Sequence, residues 1–205
     1  MLPVRDKTNT GNSCSALILA AGLSERMGKP KALLLWDQTK TFLEKITEEY
    51  FTAGCEKVIC TVNPLVLPFC KQLETKQNLK LVLNHHPEWG RMYSVQLGLS
   101  EAKESSFCFV QNVDNPFITS ETIKKIGLAK DPEAWCSPEY LGRSGHPVLL
   151  PRTIIHRILQ EKNPGATLQE ILRAFPKKAV VLEEDSVLRN INTPEDYHEL
   201  FPENC

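Results

Sequence analysis

Short apolar runs alternate with amphipathic stretches along most of the chain. Residues 15–21 form a continuous apolar run, which is typical of a strand buried on both faces of a sheet. In residues 41–53 the apolar positions recur at helical spacing, and Gly54 follows as a C-cap. The same patterns predict further strands at 58–62, 79–83, 107–113, 134–137, 145–150, 179–182 and 187–190. They predict further helices from after Pro64 to about 77, at 93–103, at 119–129, from Thr167 and from Pro194.

Strands that alternate with helices predict an α/β fold of three layers, with a mostly parallel sheet covered by helices on both faces. In such sheets ligands bind beyond the carboxyl ends of the strands. Three loops are therefore expected at the ligand-binding edge, namely residues 20–31, 84–94 and 114–119.

Length and charge narrow the class of protein. The 205 residues suit a flexible tail at 1–14 followed by one domain at 15–205. A net charge of −1 argues against a nucleic-acid partner, and no apolar run approaches the roughly 20 residues of a membrane span. The seven cysteines contain no CxxC pair, and the polar N-terminus lacks a secretory signal. We expect reduced cysteines in a cytoplasmic protein.

The loop after the first strand is a candidate phosphate site. Gly22 and Gly28 enclose five residues, so the loop matches neither the Walker spacing nor GxGxxG. Glycine nevertheless lets backbone N–H groups approach a phosphate, and Arg26 and Lys31 would supply positive charge. The alternative is a tight turn with solvated cations.

Two further positions carry oxygen ligands. Asp114 ends the run FCFVQNV at the predicted ligand edge, where one carboxylate would suffice for Mg²⁺ bound with substrate phosphates, or would cap the next loop. Asn190 and Asn192 precede the helix that Thr193 caps. On an extended strand both would face one side, and either amide oxygen could complete a metal shell; a simple turn is the alternative.

The histidines are less informative. His85 and His86 are adjacent, so their side chains diverge, and we interpret them as part of a solvated loop. His146 follows Gly145 in a glycine-bearing loop, where it would either line a pocket or be a solvated turn residue.

Five segments, in order from residue 19 to 197, resemble one family. LAAGLSERMGKPK is similar to the LAxGxSxRMGxxK signature of the molybdenum-cofactor nucleotidylyltransferases, and NHHPEWGRMYS to their Asn…Gly-Met-x-x-Ser segment. VDNP, GHPVLL and NINTPEDY resemble their remaining motifs. The resemblance departs at Arg91, where the family usually has Met.

This resemblance implies a Rossmann-like nucleotidyltransferase fold and transfer of a nucleoside monophosphate from an NTP to a phosphate acceptor, with release of pyrophosphate. It implies catalytic roles for Arg26, Lys31 and Asp114, acceptor binding by Gly145 and His146, and Mg²⁺, with Mn²⁺ as the alternative, on Asp114 and on Asn192 or Asn190. It also implies that the nucleotide binds to these residues: Leu19, Ala20, Ala21, Gly22, Arg26, Lys31, Gly90 and Ser94.

The four residues Leu19 to Gly22 resemble the cytidylyl branch of the family, whereas the guanylyl branch usually has LAGG. This favours CTP, with molybdopterin as the acceptor and a molybdoenzyme or its chaperone as a protein partner. Asn190-Ile191-Asn192 is closer to the guanylyl type. GTP, or a sugar or polyol phosphate as acceptor, therefore remains an alternative. A nucleotide-binding chaperone without turnover is a second one, against which the intact set of site residues argues.

Overall fold

The computed structural model describes residues 13–75 and 78–204, which form eight β-strands and seven α-helices. The strands are β1 (Cys14–Ala20), β2 (Lys57–Val62), β3 (Leu79–Leu83), β4 (Phe107–Asn112), β5 (Trp135–Tyr140), β6 (Arg143–Ser144), β7 (Val148–Pro151) and β8 (Lys177–Val181). The helices are α1 (Phe42–Thr52), α2 (Leu67–Cys70), α3 (Arg91–Ser100), α4 (Ser120–Leu128), α5 (Arg152–Leu159), α6 (Leu168–Leu172) and α7 (Pro194–Leu200).

All eight strands join one sheet in the order β3-β2-β1-β4-β7-β5-β6, with β8 paired to β5. The β1–β2, β1–β4, β2–β3 and β5–β8 pairs are parallel, whereas β7 pairs antiparallel with β4 and β5, and β6 pairs antiparallel with β5. The predicted mixed α/β fold with a mostly parallel sheet is confirmed. The parallel strands β3, β2, β1 and β4 end at the same edge, and this edge is where the predicted ligand loops meet.

Alternate residues of the central strands enter two separate hydrophobic clusters. In β1, Ala16 and Ile18 belong to the first cluster, and Leu17 belongs to the second. Helices α1 and α4 cover the first cluster, and α3 and α5 cover the second. The period of two in a strand therefore gives the three layers that the sequence predicts.

Helix ends follow the predicted capping chemistry. Thr167 and Thr193 each accept a hydrogen bond from the third residue of their helix, and the acid at that position bonds back to the threonine N–H. Thr41 and Glu44 form the same capping box at the start of α1.

Two local predictions are wrong, and one helix was missed. Residues 187–190 are not a strand, because Asp185–Leu188 is a 3₁₀ turn and the backbone partners there come from distant loops. Helix α5 was missed, although Ile154, Ile155 and Ile158 recur at helical spacing and are buried in the second cluster. The glycine-bearing loop after 137 instead contains the β5–β6 hairpin, whose turn residues Leu141 and Gly142 have positive φ angles of 47° and 77°.

Other boundaries move by shorter distances. The helix expected from after Pro64 to about 77 is the short α2 followed by a 3₁₀ turn at Lys71–Thr75, and residues 76–77 lie outside the described part of the chain. The strand expected at 145–150 begins only at Val148, because the N–H groups of Gly145 and His146 bond to other loops. Most of the expected 1–14 tail also lies outside the described residues, and Cys14 already belongs to β1.

Six cysteines fall within the described residues, and all six are free thiols. Cys60 and Cys108 are completely buried in the sheet, and burial raises the pKa of both thiols. Both therefore act as small apolar side chains. No helix in the described residues is long and apolar enough to cross a membrane.

Candidate active site

A cavity of about 610 Å³ opens at the carboxyl ends of β1 and β4. Every residue predicted to bind the nucleotide contributes to its wall, and so do the predicted metal ligands Asp114 and Asn192. The full lining is Leu19, Ala20, Ala21, Gly22, Leu23, Ser24, Glu25, Arg26, Met27, Lys31, Pro87, Gly90, Arg91, Ser94, Asn112, Val113, Asp114 and Asn192. The fold thus brings these segments, which are distant in the sequence, to one cavity. The role of each residue there stays a prediction.

Two side chains, those of Asn63 and Ser24, hydrogen-bond to the backbone of the loop after β1. The Nδ2 group of the buried Asn63 donates to the carbonyl oxygens of Ala21 and Gly22, at 3.2 and 3.3 Å. Farther along, Ser24 lies in the left-handed region at a φ of 54°, and its Oγ accepts the Lys31 N–H at 3.3 Å. The carbonyl groups of Ala21 and Gly22 therefore point toward Asn63. The Arg26 side chain is exposed and contributes to the cavity wall.

Lys31 connects the two predicted metal ligands. Its Nζ lies 3.3 Å from Oδ2 of Asp114 and 3.0 Å from Oδ1 of Asn192. The lysine side chain is 14% exposed and the aspartate side chain 27% exposed, so solvent only partly screens this ion pair. A cation thus occupies the space between a carboxylate and an amide oxygen.

Two backbone contacts fix Asn192 beside Asp114. The Ile191 N–H donates to the Asp114 carbonyl oxygen at 2.8 Å, and the Asn192 N–H donates to Oδ2 of Asp196, which caps α7, also at 2.8 Å. Asn190 is exposed and contributes nothing to the cavity wall. Residues 190–192 do not belong to a strand, and of the two asparagines Asn192 alone lines the cavity.

The buried Asn115 connects the end of β4 to the same segment. Its Nδ2 donates to the carbonyl oxygens of Ser186 and Arg189, and its own carbonyl accepts from Nε2 of Gln111 at 3.0 Å. An unpaired buried amide would cost free energy, so these hydrogen bonds favour one arrangement of the two segments.

The oxygen atoms at this edge suit a hard divalent cation. Oδ1 of Asp114 is buried and has no hydrogen-bond partner within the described residues. Mg²⁺ and Mn²⁺ prefer carboxylate and amide oxygens of this kind, and Mg²⁺ commonly takes one or two carboxylates with substrate phosphates. No group of three or more His, Cys, Asp or Glu side chains suited to a metal occurs among residues 13–75 and 78–204. The protein therefore supplies only part of a metal site here, and phosphate oxygens of a bound nucleotide would have to complete it.

A third basic residue of the cavity wall, Arg91, comes from α3. Nη2 of Arg91, the first residue of α3, donates to Oδ1 of Asn112 at 2.8 Å. Burial, together with the charge of Arg91, lowers the pKa of His146 to about 4, while Asp114 opposes this shift. His146 is therefore neutral near pH 7, and its buried Nδ1 has no hydrogen-bond partner within the described residues.

Gly145 and His146, the predicted acceptor-binding residues, lie outside the cavity wall itself. The Gly145 N–H donates to the Pro138 carbonyl at 2.9 Å, and the His146 N–H donates to the Val187 carbonyl at 3.1 Å. A Cβ added at Gly145 would overlap the Val187 carbonyl oxygen. Glycine at this position therefore permits a close approach between two loops.

We expect Gly145→Ala to lower the free energy of unfolding by about 1–3 kcal/mol, because a rigid backbone carbonyl blocks the new methyl group. Denaturant unfolding measures this, with Gly165→Ala as the control at an exposed loop position. Wild-type stability combined with weaker acceptor binding would instead place Gly145 in direct contact with the acceptor.

Sequence reasoning missed three residues that shape the site. Asn63 positions the loop after β1; its place before Pro64, at the carboxyl end of a predicted strand, was the available signal. Arg91 was noted only as a departure from the family, and Asn112 only as part of a strand. The hydrogen bond between these two residues joins positions 21 apart in the sequence, and no local sequence pattern predicts it.

Comparisons with known proteins agree with this geometry. The sequence matches the family described as the MobA-like NTP transferase domain over residues 16–183. It is 26% identical to the molybdenum cofactor cytidylyltransferase of Escherichia coli (strain K12), over 91% of this chain and 94% of that protein. It is 25% identical to a probable molybdenum cofactor guanylyltransferase of Methanosarcina acetivorans, over 95% and 93% of the two chains.

A similar fold occurs in the crystal structure of Rv0371c from Mycobacterium tuberculosis H37Rv. The TM-score is 0.79 at 18% identity, covering 94% of this chain and 99% of that one. A second structure of Rv0371c, in complex with manganese, has a TM-score of 0.69 at 17% identity, covering 94% and 99% of the two chains. With the family match covering most of the sequence and the ligand loops meeting at one edge of the sheet, the chain belongs to the MobA-like NTP transferase domain family and is a nucleotidyltransferase.

Proposed function

We propose that this nucleotidyltransferase transfers CMP from CTP to the phosphate of molybdopterin and releases pyrophosphate. The observation that carries the choice of base is Ala21, which is 2% exposed and contributes to the cavity wall at the end of β1. A methyl group there takes up space that a glycine would leave open, which favours a pyrimidine over a purine. The Escherichia coli relative named a cytidylyltransferase supports the same choice.

The cations of the first loop suit the leaving group. Arg26 and Lys31 lie on one wall of the cavity, where they would neutralise the β- and γ-phosphates of the nucleotide. An oxygen of the acceptor phosphate attacks the α-phosphorus, the bond from that phosphorus to the β-phosphate oxygen breaks, and pyrophosphate leaves with the electron pair. The product contains a new P–O–P bridge.

The attacking group needs no strong general base, because a phosphate monoester is already anionic near pH 7. This agrees with the low pKa of His146, about 4, which makes that side chain a poor proton acceptor at neutral pH. Catalysis then depends on positioning and on electrostatic stabilisation of the phosphoryl oxygens.

Asp114 and Asn192 would hold a divalent cation, with Mg²⁺ as the proposed ion and Mn²⁺ as the alternative. When bound, the ion would neutralise charge on the phosphoryl oxygens. Lys31 now donates to both protein oxygens, so its ammonium group would turn to the phosphates when nucleotide enters.

Pyrophosphate release from CTP, GTP, ATP and UTP, each with and without molybdopterin, tests the proposal. We expect CTP with molybdopterin to give the highest kcat/KM and mass spectrometry to identify the cytidine dinucleotide of the cofactor. A preference for GTP would contradict the choice of base, and binding without turnover would favour a regulatory protein.

Ala21→Gly tests the base assignment directly. We expect the ratio of kcat/KM for CTP to that for GTP to fall about tenfold, the scale for one methyl group in a binding pocket. Ala20→Gly is the matched control, since Ala20 also contributes to the cavity wall and is buried to a similar extent. An equal loss for both nucleotides in Ala21→Gly would show that the methyl group does not select the base.

The proposal includes a cytoplasmic location and delivery of the product to a molybdoenzyme or its chaperone. Buried free cysteines are consistent with a reducing compartment. Co-purification of the tagged protein with a molybdoenzyme from its own organism would test the partner.

A further inference from the structure

The cavity has two cationic walls that come from opposite faces of the sheet. The loop that bears Arg26 and Lys31 packs on the first hydrophobic cluster, through Met27 and Ala32. Helix α3, which begins with Arg91, packs on the second cluster through Met92 and Val95. Asp114, two residues after the end of β4, also lines this cavity.

Phosphoryl transfer by displacement at the α-phosphorus requires the attacking and leaving oxygens to lie roughly in line on opposite sides. If pyrophosphate leaves toward Arg26 and Lys31, the acceptor must approach from the other wall. Of the basic residues that line the cavity within the described part of the chain, Arg91 is the one that comes from α3 and not from the loop after β1.

We propose that Arg91 binds the phosphate of the acceptor and aligns it for attack on the α-phosphorus. This rests on the proposed nucleotidyl transfer and adds to it the residue that recognises the second substrate. The acceptor class is thereby a phosphate monoester, which a guanidinium group binds through two parallel hydrogen bonds.

The surroundings of Arg91 suit this task. Its Nη2 is held by Asn112 at 2.8 Å, which orients the guanidinium group before any ligand arrives. The Nδ2 group of Asn84 donates to Oγ of Ser94 at 2.9 Å. This hydrogen bond fixes the first turn of α3. Gly90, which has no side chain, precedes the helix and leaves the first N–H groups of α3 uncapped by any side chain.

Phosphate binding to a nucleotide complex tests the proposal without the true acceptor. The full chain is first saturated with Mg²⁺ and the α,β-methylene analogue of whichever of CTP and GTP binds more tightly. Inorganic phosphate is then titrated and followed by NMR of the backbone amides at 91–94 and of the arginine Nε–H groups. The triphosphate of the analogue would occupy the first wall and its nucleoside would lie near Gly90 and Ser94, so the Arg91 Nε–H is the signal that reports on added phosphate.

In Arg91→Met we expect the Kd of phosphate to rise about tenfold or more, the scale for losing charge-assisted hydrogen bonds. Arg91→Lys should lie between this variant and wild type, because it keeps the charge and loses the planar fork. Arg173→Met, at an exposed arginine outside the cavity wall, should leave the Kd unchanged. The Kd of the nucleotide analogue should stay within about twofold in all three variants, since the effect of Arg91 is local.

Unchanged phosphate affinity in Arg91→Met, or no phosphate binding to the wild-type complex, would overturn the proposal. A parallel loss of nucleotide affinity would also overturn it, because it would place Arg91 on the triphosphate. Failure of the protein to turn over CTP with molybdopterin would contradict the proposed function but leave this binding result intact.

Discussion

Asp114→Ala should lower kcat for pyrophosphate release by about three orders of magnitude, which corresponds to about 4 kcal/mol of transition-state stabilisation. Asp114 supplies the only carboxylate among the predicted metal ligands, and its Oδ1 has no other partner in the described residues. Loss of this oxygen removes the cation's main protein ligand from the point where charge develops. Steady-state kinetics at saturating Mg²⁺ would measure the effect.

The fold should survive this substitution. The structural contact of Asp114 to the C-terminal segment uses its backbone carbonyl, which accepts from the Ile191 N–H at 2.8 Å and is unaffected by the side chain. The lost ion pair to Lys31 is partly exposed, so we expect the free energy of unfolding to change by no more than about 1 kcal/mol.

Two further variants separate the metal role from general damage. Asp114→Asn keeps the shape and one oxygen, and we expect it to bind Mn²⁺ more weakly and to lose most of the activity. Asp131→Asn is the control, because Asp131 lies in a loop outside the cavity wall. Near-normal pyrophosphate release by Asp114→Ala would contradict the metal assignment.

Much of the site was predictable because parallel strands bring their carboxyl ends to one edge. The apolar runs at 15–21 and 107–113 were sufficient to place the loops at 20–31 and 114–119 together. Capping at Thr167 and Thr193 was predictable as well, since its partners lie three residues away.

Long-range contacts were not predictable in this way. The segment at 187–190 has strand-like side chains, but Asn115 and His146 bind its carbonyl groups from positions far away in the sequence. The placement of Asn192 rather than Asn190 at the cavity follows from those contacts. The close approach of Gly145 to the Val187 backbone likewise has no local signature, because the two residues are far apart in the sequence.

Because Lys31 contacts both Asp114 and Asn192, we expect its replacement to lower the turnover rate and to raise the affinity for Mn²⁺. In Lys31→Met, kcat should fall about 100- to 1,000-fold, because a charge that stabilises the departing pyrophosphate is lost. In the absence of nucleotide, however, the same variant should bind Mn²⁺ more tightly than wild type does.

The physical reason is competition for the same oxygens. The Lys31 ammonium lies 3.3 Å from the carboxylate and 3.0 Å from the amide oxygen, so a divalent cation must displace it and overcome its repulsion. Removal of one such charge at a partly exposed site is worth roughly 1 kcal/mol, or about a fivefold lower Kd. Electron paramagnetic resonance of free Mn²⁺ measures this Kd without turnover.

Lys29→Met is the matched control, since Lys29 lies in the same loop, is exposed and does not contribute to the cavity wall. It should change neither the Kd of Mn²⁺ nor kcat by more than about twofold, because an exposed charge is well screened. If Lys31→Met loses activity while its Mn²⁺ affinity stays at the wild-type value or falls, the ammonium group does not compete for these ligands. Tighter Mn²⁺ binding together with lost turnover would mean that the Lys31 ammonium occupies the metal site in the free protein. The metal would then replace it at the two oxygens when the nucleotide phosphates bind.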